Sequence, residues 1–233
     1  MHTVSKSRPP ANPLPAGAWL AARRRDTDNA RVNQDIPFVL RLRRDLARHW
    51  VLPTVGGLAL VLSSVPGLRP LLRYQRDALA QGEWWRLLTG HLVHLGPAHL
   101  AWDLAALVLI WRLFGDRLDN GRWLLVTLTA MVGIDAGLWW LDPRLRWYLG
   151  LSGLLHGWFA AGGLAEWPRD RRYALVVLGL LAAKLGWEAL AGPLPGTAAA
   201  IGGAVVTQAH LYGALSVLPL AWWLRAPALR GEA

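Results

Sequence analysis

Six stretches of this chain run for about eighteen residues or more with few charges or none, and no other feature limits its fold as strongly. An α-helix rises 1.5 Å per residue, so such a stretch crosses a hydrocarbon core roughly 30 Å thick. Inside that core the backbone must satisfy its own N–H and C=O groups, and a single segment does so as a helix. The stretches are 50–68, which carries no charge, then 97–115, 123–141, 147–165, 173–192 and 207–224. The expected fold class is an all-α polytopic membrane protein, a bundle of six transmembrane helices within residues 47–226. Composition agrees, since 54% of residues are hydrophobic and only 17% charged, which is more apolar than a soluble domain usually tolerates.

The connections differ in kind. Segment 69–96 is too polar to span and too apolar for an unstructured loop, and Trp84, Trp85 and Leu87 suggest that it embeds in the membrane interface. Segment 193–206 is uncharged but rich in Gly, Pro and Ala, which fits a loop or re-entrant turn. Residues 1–46 contain Pro9, Pro10, Pro13, Pro15 and the run Arg23, Arg24, Arg25, with no apolar core leading to a small-residue cleavage site. They read as a flexible basic cytosolic tail in which 38–46 can rest on the membrane surface. Residues 227–233 read as a second, short cytosolic tail.

The net charge is +10, yet ten of the 25 Lys and Arg fall in residues 1–49, beside the first apolar stretch. A topology signal or lipid contact explains this placement, and no nucleic-acid reader motif accompanies it. With the N-terminus inside, the inner side collects Arg31, Arg41, Arg43, Arg44, Arg48, Arg112, Arg117, Arg122, Arg169, Arg171, Arg172, Arg225 and Arg230. The outer side holds only Arg69, Arg73, Arg76, Arg86, Arg144 and Arg146. Both termini are therefore expected in the cytoplasm. The chain has no Cys, which excludes disulfides, thiol nucleophiles and cysteine metal sites.

An ionisable side chain inside a span costs about 2.5–3.5 kcal/mol on insertion scales, so each asks for a reason. Here they are His99, Asp103, Arg112, Asp135, His156, Lys184, Glu188 and His210. With the orientation set, Asp103, Asp135, Ser152 and His210 lie within about 10 Å of the outer surface. Four helices thus deliver polar groups to one layer. Ser152 sits in Gly150-Leu151-Ser152-Gly153 at the start of the fourth stretch. Unpaired N–H groups and the positive dipole end there can stabilise an oxyanion beside a nucleophile. His210 sits in Ala209-His210-Leu211-Tyr212-Gly213. Gly153 with Gly157, and Ala209 with Gly213, are small pairs four residues apart, which lets the fourth and sixth helices approach closely. A hydrogen bond from Ser152 to His210 is then geometrically reasonable. His156, four residues after Ser152 on the same face, competes as the base. Lys184 and Glu188 are spaced to satisfy each other, and Asp135 has no assigned partner.

Together, Trp85-Arg86 in the first long loop, His94 and His99 followed by Asp103, G-x-S-G at Ser152 and A-H-x-x-G at His210 resemble the rhomboid family of intramembrane serine proteases. The run Gly82-Glu83-Trp84-Trp85-Arg86-Leu87-Leu88-Thr89-Gly90-His91 resembles its rhombosortase branch, which is associated with secreted proteins carrying a Gly-rich C-terminal membrane anchor. The resemblance implies a six-helix rhomboid-like bundle and a Ser152–His210 dyad with no acidic third member. It implies that His99 and Asp103 help hold the oxyanion with the Ser152 N–H, supported by Gly150 and Gly153. His156 would pack on His210, and His94 would brace the loop. Asp103 departs from the usual Asn, and its carboxylate must be protonated, turned away or paired with a His such as His99. The expected partners are single-pass membrane-anchored protein substrates and the lipid bilayer, with no nucleic acid, no cofactor and no metal. The expected location is a bacterial inner membrane, the active site facing the periplasm. Nothing in the sequence sets an oligomeric state.

Two other readings use the same residues. His91, His94, His99, His156 and His210 can supply imidazole ligands to a metal or haem, although no H-E-x-x-H is present and such a site has no need of Gly150, Ser152 and Gly153. A catalytically inactive rhomboid-like protein that binds membrane clients would retain the helices but need neither Ser152 nor His210.

Overall fold

The structure, a computed structural model, describes residues 49–225. The tails expected over 1–46 and 227–233, with the interfacial patch at 38–46, lie outside the described residues. A helix overlaps each of the six apolar stretches. In chain order the elements are α1 (Val51–Ser64), α2 (Leu68–Leu72), β1 (Tyr74–Gln75), α3 (Arg76–Ala80), α4 (Arg86–Thr89), α5 (Pro97–Phe114) and α6 (Asn120–Trp140). There follow β2 (Trp147–Tyr148), α7 (Ser152–Glu166), α8 (Arg171–Ala191), α9 (Thr197–Ile201), α10 (Thr207–Ser216), a 3₁₀ turn (Leu218–Leu220) and α11 (Ala221–Arg225). Among the described residues α5, α6 and α8 are long and apolar enough to cross a membrane, while α1 is a shorter apolar helix.

Local signals set the boundaries. Pro97 opens α5, where its missing N–H is no loss. Asp119 and Asp170 cap α6 and α8, their side chains accepting the backbone N–H of Arg122 and Tyr173. The fourth helix starts at Ser152, later than the expected 147, because Trp147 and Tyr148 pair antiparallel with Gln75 and Tyr74 instead. The last stretch is broken between α10 and α11 at Pro219, which opens the 3₁₀ turn. Segment 193–206 carries α9, which packs against α5.

α7 is the centre of the bundle. It contacts α5, α6, α8, α10 and α11, and twelve of its residues are buried. Its small residues make this possible. A Cβ on Gly157 would lie 2.9 Å from the Gly213 carbonyl oxygen, and one on Gly213 would overlap the Gly153 carbonyl. Gly162 lies under the Phe114 ring of α5, and Gly163 under Leu178 of α8. Small residues stand in for apolar burial here, because lipid offers no hydrophobic drive and close packing must supply the attraction.

The long first connection is an ordered brace. Arg86 is buried, pairs with Glu83 at 2.6 Å and donates to the carbonyls of Pro70 and Arg73, each at 2.9 Å. Thr89 donates to Leu72 at 2.6 Å. Arg76 caps the end of α6 by donating to the carbonyls of Leu138, Trp139 and Asp142. Trp84 and Trp85 stay exposed. The brace ends at Gly90, whose carbonyl accepts from the Gly150 N–H at 3.1 Å, so it reaches the turn that precedes Ser152.

Candidate active site

Ser152 is the first residue of α7, and the turn before it requires glycine. Gly150 has φ +119°, and a Cβ there would lie 2.8 Å from the His99 ring. Tyr148 donates its hydroxyl to the Gly150 carbonyl at 2.8 Å and holds the turn from beneath. Gly153, expected to support an oxyanion, instead serves the crossing with α10: a Cβ on it would stand 3.1 Å from the Ala209 carbonyl oxygen.

The tight crossing of α7 and α10 brings Ser152 Oγ to 3.0 Å from His210 Nε2. His156 is arranged differently. Its Nδ1 donates to the Ser152 carbonyl at 2.7 Å, and its ring stacks on His210 with centroids 4.1 Å apart and planes 13° from parallel. The Ser152 hydroxyl is therefore partnered by His210, and His156 packs on that partner. This arrangement can pass the Oγ–H proton to Nε2 as Oγ attacks an electrophilic carbon.

One residue was assigned too little by the sequence. Glu188, read as the partner of Lys184 alone, accepts from Lys184 Nζ at 2.7 Å with Oε1 and from His210 Nδ1 at 2.9 Å with Oε2. Beside the expected dyad, which was given no acidic third member, α8 delivers a carboxylate to the far side of the imidazole. A signal was available. Glu188 lies four residues before the expected outer end of its stretch, in the layer where Ser152 and His210 are expected.

His94, His99 and Asp103 form a second buried cluster. Asp103 Oδ2 accepts from His94 Nε2 and from the Leu151 N–H, both at 3.0 Å, and stands 3.5 Å from His99 Nε2. The carboxylate is therefore paired, but with His94 more closely than with the expected His99. His94 Nδ1 lies 3.0 Å from Ser63 Oγ, which ties the cluster to α1. His99 Nδ1 accepts from the Leu95 N–H at 3.4 Å, which leaves its proton on Nε2, directed at Asp103. Asp135 gains a partner too: His91 Nε2 lies 3.4 Å away. As for metal chemistry, His94, His99 and Asp103, and likewise His156, Glu188 and His210, offer ligand atoms within 4.8 Å of one another. In both groups hydrogen bonds within the protein engage at least one of these atoms on every residue.

Both clusters face one cavity of about 640 Å³. Its apolar walls come from Trp102, Ala106 and Leu109 on α5, Phe159 on α7, Leu180 and Leu181 on α8, and the 194–206 segment. Trp102, Leu109 and Leu180 are also exposed on the outer surface of the bundle, so the cavity approaches that surface between α5 and α8.

Residues 81–227 match the family model of the Rhomboid domain. Over 56 residues the chain is 43% identical to Rhomboid protease GluP of Bacillus subtilis (strain 168), covering 24% of this chain and 11% of that protein. Over 81 residues it is 32% identical to "Putative rhomboid protease YdcA" of the same organism, covering 35% of this chain and 41% of that protein. In these alignments the chain spans less than half the length of either relative.

Proposed function

Because the chain belongs to the rhomboid family, and with its apolar helices is an integral membrane protein, we propose that it is an intramembrane serine endopeptidase with Ser152 as nucleophile and His210 as base. The observation that carries this reading is the 3.0 Å approach of Ser152 Oγ to His210 Nε2 at the wall of a cavity between membrane helices. In the first step the Oγ–H bond breaks, its proton goes to Nε2, and Oγ bonds to the substrate carbonyl carbon while the carbonyl electron pair moves to oxygen. That oxyanion forms beside the Ser152 N–H at the start of α7, and His99 can add its Nε2–H only by turning that proton away from Asp103. The intermediate then collapses, His210 protonates the leaving amine, and the acyl group stays on Ser152 until a water, deprotonated by His210, releases it.

The same proposal extends to topology and substrate. Six spans with both termini cytoplasmic follow from the apolar stretches and the Arg imbalance, and place the site toward the periplasm of a bacterial inner membrane. The substrate is a single-pass, membrane-anchored protein with a Gly-rich C-terminal anchor, the choice supported by the likeness of 82–91 to the rhombosortase branch. A Gly-rich anchor unwinds at low cost, so it can enter the cavity extended. The test is cleavage of a secreted protein with such an anchor, with an unbroken Leu-rich anchor, and with none. Wild type is expected to cut only the first, Ser152→Ala and His210→Ala to cut nothing, and His156→Ala to keep partial activity. Cleavage by Ser152→Ala overturns the serine reading, and equal cutting of both anchors overturns the substrate reading.

A further inference from the structure

His210 is gripped on three sides. Nε2 meets Ser152 Oγ, Nδ1 meets Glu188 Oε2, and one ring face meets His156. The side chains of Glu188 and His210 are only 4% and 6% exposed, so protein groups decide where the imidazole proton sits. Resting on the serine–histidine reading above, we propose that Glu188 is a positioning residue: its carboxylate holds His210 with the proton on Nδ1, keeping the Nε2 lone pair on Ser152, and offsets the imidazolium charge that forms during attack.

The argument starts from the two tautomers of a neutral imidazole. Only the one with its proton on Nδ1 has a free Nε2 lone pair for the Ser152 hydroxyl, and the choice is set by what Nδ1 meets. The groups facing His210 are Ser152 and His156 from α7, Glu188 with Lys184 behind it from α8, and His99 and Asp103 from α5 across the cavity. Among the described residues only Glu188 is recorded as accepting from Nδ1. His156 cannot take that place, because its Nδ1 is directed to the Ser152 carbonyl and it meets His210 face to face. Lys184, one turn before Glu188, fixes the carboxylate by holding Oε1 and leaves Oε2 for the histidine. During attack the proton lost by Ser152 adds to Nε2, while the Nδ1 proton stays in its hydrogen bond and is not transferred.

A purely structural Lys184–Glu188 ion pair predicts something different, and single-atom chemistry separates the two. In Glu188→Gln one carbonyl oxygen must serve two donors. When it stays with Lys184, the amide NH₂ turns to His210 Nδ1, favours the other tautomer and points an N–H at Ser152. The rate of fluorophosphonate labelling of Ser152 is measured on the full-length protein in lipid, with its maximal rate and half-saturation concentration separated. For Glu188→Gln the maximal rate is expected to fall at least about 100-fold, within the range general-base assistance supplies, with half-saturation within about two-fold of wild type. Lys184→Met keeps the Glu188–His210 bond but lets the carboxylate shift, and is expected to slow labelling by no more than about ten-fold, less than Glu188→Gln. The double variant Lys184→Met with Glu188→Gln frees the oxygen for His210 and should label at least about ten-fold faster than Glu188→Gln alone.

Loss of labelling in Lys184→Met equal to that in Glu188→Gln overturns the inference, because the pair then acts as one structural unit. So does wild-type labelling by Glu188→Gln, or a double variant no faster than the single one. These outcomes leave the serine reading standing so long as Ser152→Ala is unlabelled. Labelling that persists in Ser152→Ala sinks that reading instead.

Discussion

Where α7 faces α10 the two helices touch backbone to backbone, with Gly153, Gly157 and Gly213 at the crossing; where its first turns face α5 and α8, a cavity of about 640 Å³ opens. The same helix thus has a closed side and an open side, and residue size explains the difference. Glycines on the closed side let carbonyls stand where side chains would otherwise be. On the open side Trp102, Leu109 and Leu180 direct bulk outward, and the polar groups of the site face the gap. The closed side sets the distance from Ser152 to His210, and the open side leaves room for a substrate. Rigidity and access are assigned to different faces, so they can be perturbed separately.

The largest effect should come from the closed side. A leucine at Gly213 must displace the Gly153 backbone, not the end of a flexible side chain, so Gly213→Leu is expected to cost about 3 kcal/mol or more, at the upper end for overpacking. Thermal unfolding in detergent should show a large loss of stability together with loss of serine labelling. A stable, labelled Gly213→Leu protein would mean that the two helices are not in backbone contact.

Next is the boundary between the sides, where Asp103 accepts from Leu151 N–H and His94. Asp103→Leu removes the nearer acceptor of both donors, leaves the Leu151 N–H only its 3.4 Å contact with His94 Nε2, and loosens the turn that carries Ser152. Turnover is expected to fall about ten-fold or more with a modest loss of stability of about 1–3 kcal/mol. Unchanged turnover would show that the turn is held by Gly90 and Tyr148 alone.

A smaller effect is expected on the open side. Leu109→Ala trims the cavity wall without touching the Ser152–His210 pair, so KM for an anchored substrate should shift about two- to five-fold while kcat and unfolding temperature hold. A drop in stability matching that of Gly213→Leu would erase the distinction between the sides. The smallest effect belongs to Leu190, which is 92% exposed on α8. Leu190→Ala should change neither kinetics nor unfolding by more than about 0.5 kcal/mol, and a larger change would reveal packing outside this chain.

Much of the site was legible because each part had a local cause. Ionisable residues inside apolar stretches stand out, and small pairs four apart mark close helix crossings. The Lys184–Glu188 pair was legible and is present, but this local explanation concealed the second contact of Glu188 with His210 on another helix. Asp103 was open to being protonated, turned away or paired with a histidine, and its pairing with His94 more closely than His99 depends on how the 90–96 loop returns to α5. The late start of α7 was hidden as well, because Trp147 and Tyr148 are apolar enough for a span and leave it only by pairing with β1.

By itself the sequence determined the helical class, the apolar segments and the residue types able to do chemistry among them, since all of these depend on periodicity, charge and chain length along one strand of polymer. The tertiary structure alone decided which polar groups meet: His210 with Ser152 and Glu188, His156 on the His210 ring, Asp103 on the Leu151 N–H, and His91 beside Asp135. Those pairings depend on the rotation of each helix about its axis and on crossings set by backbone contact, to which depth and spacing along a single helix are blind.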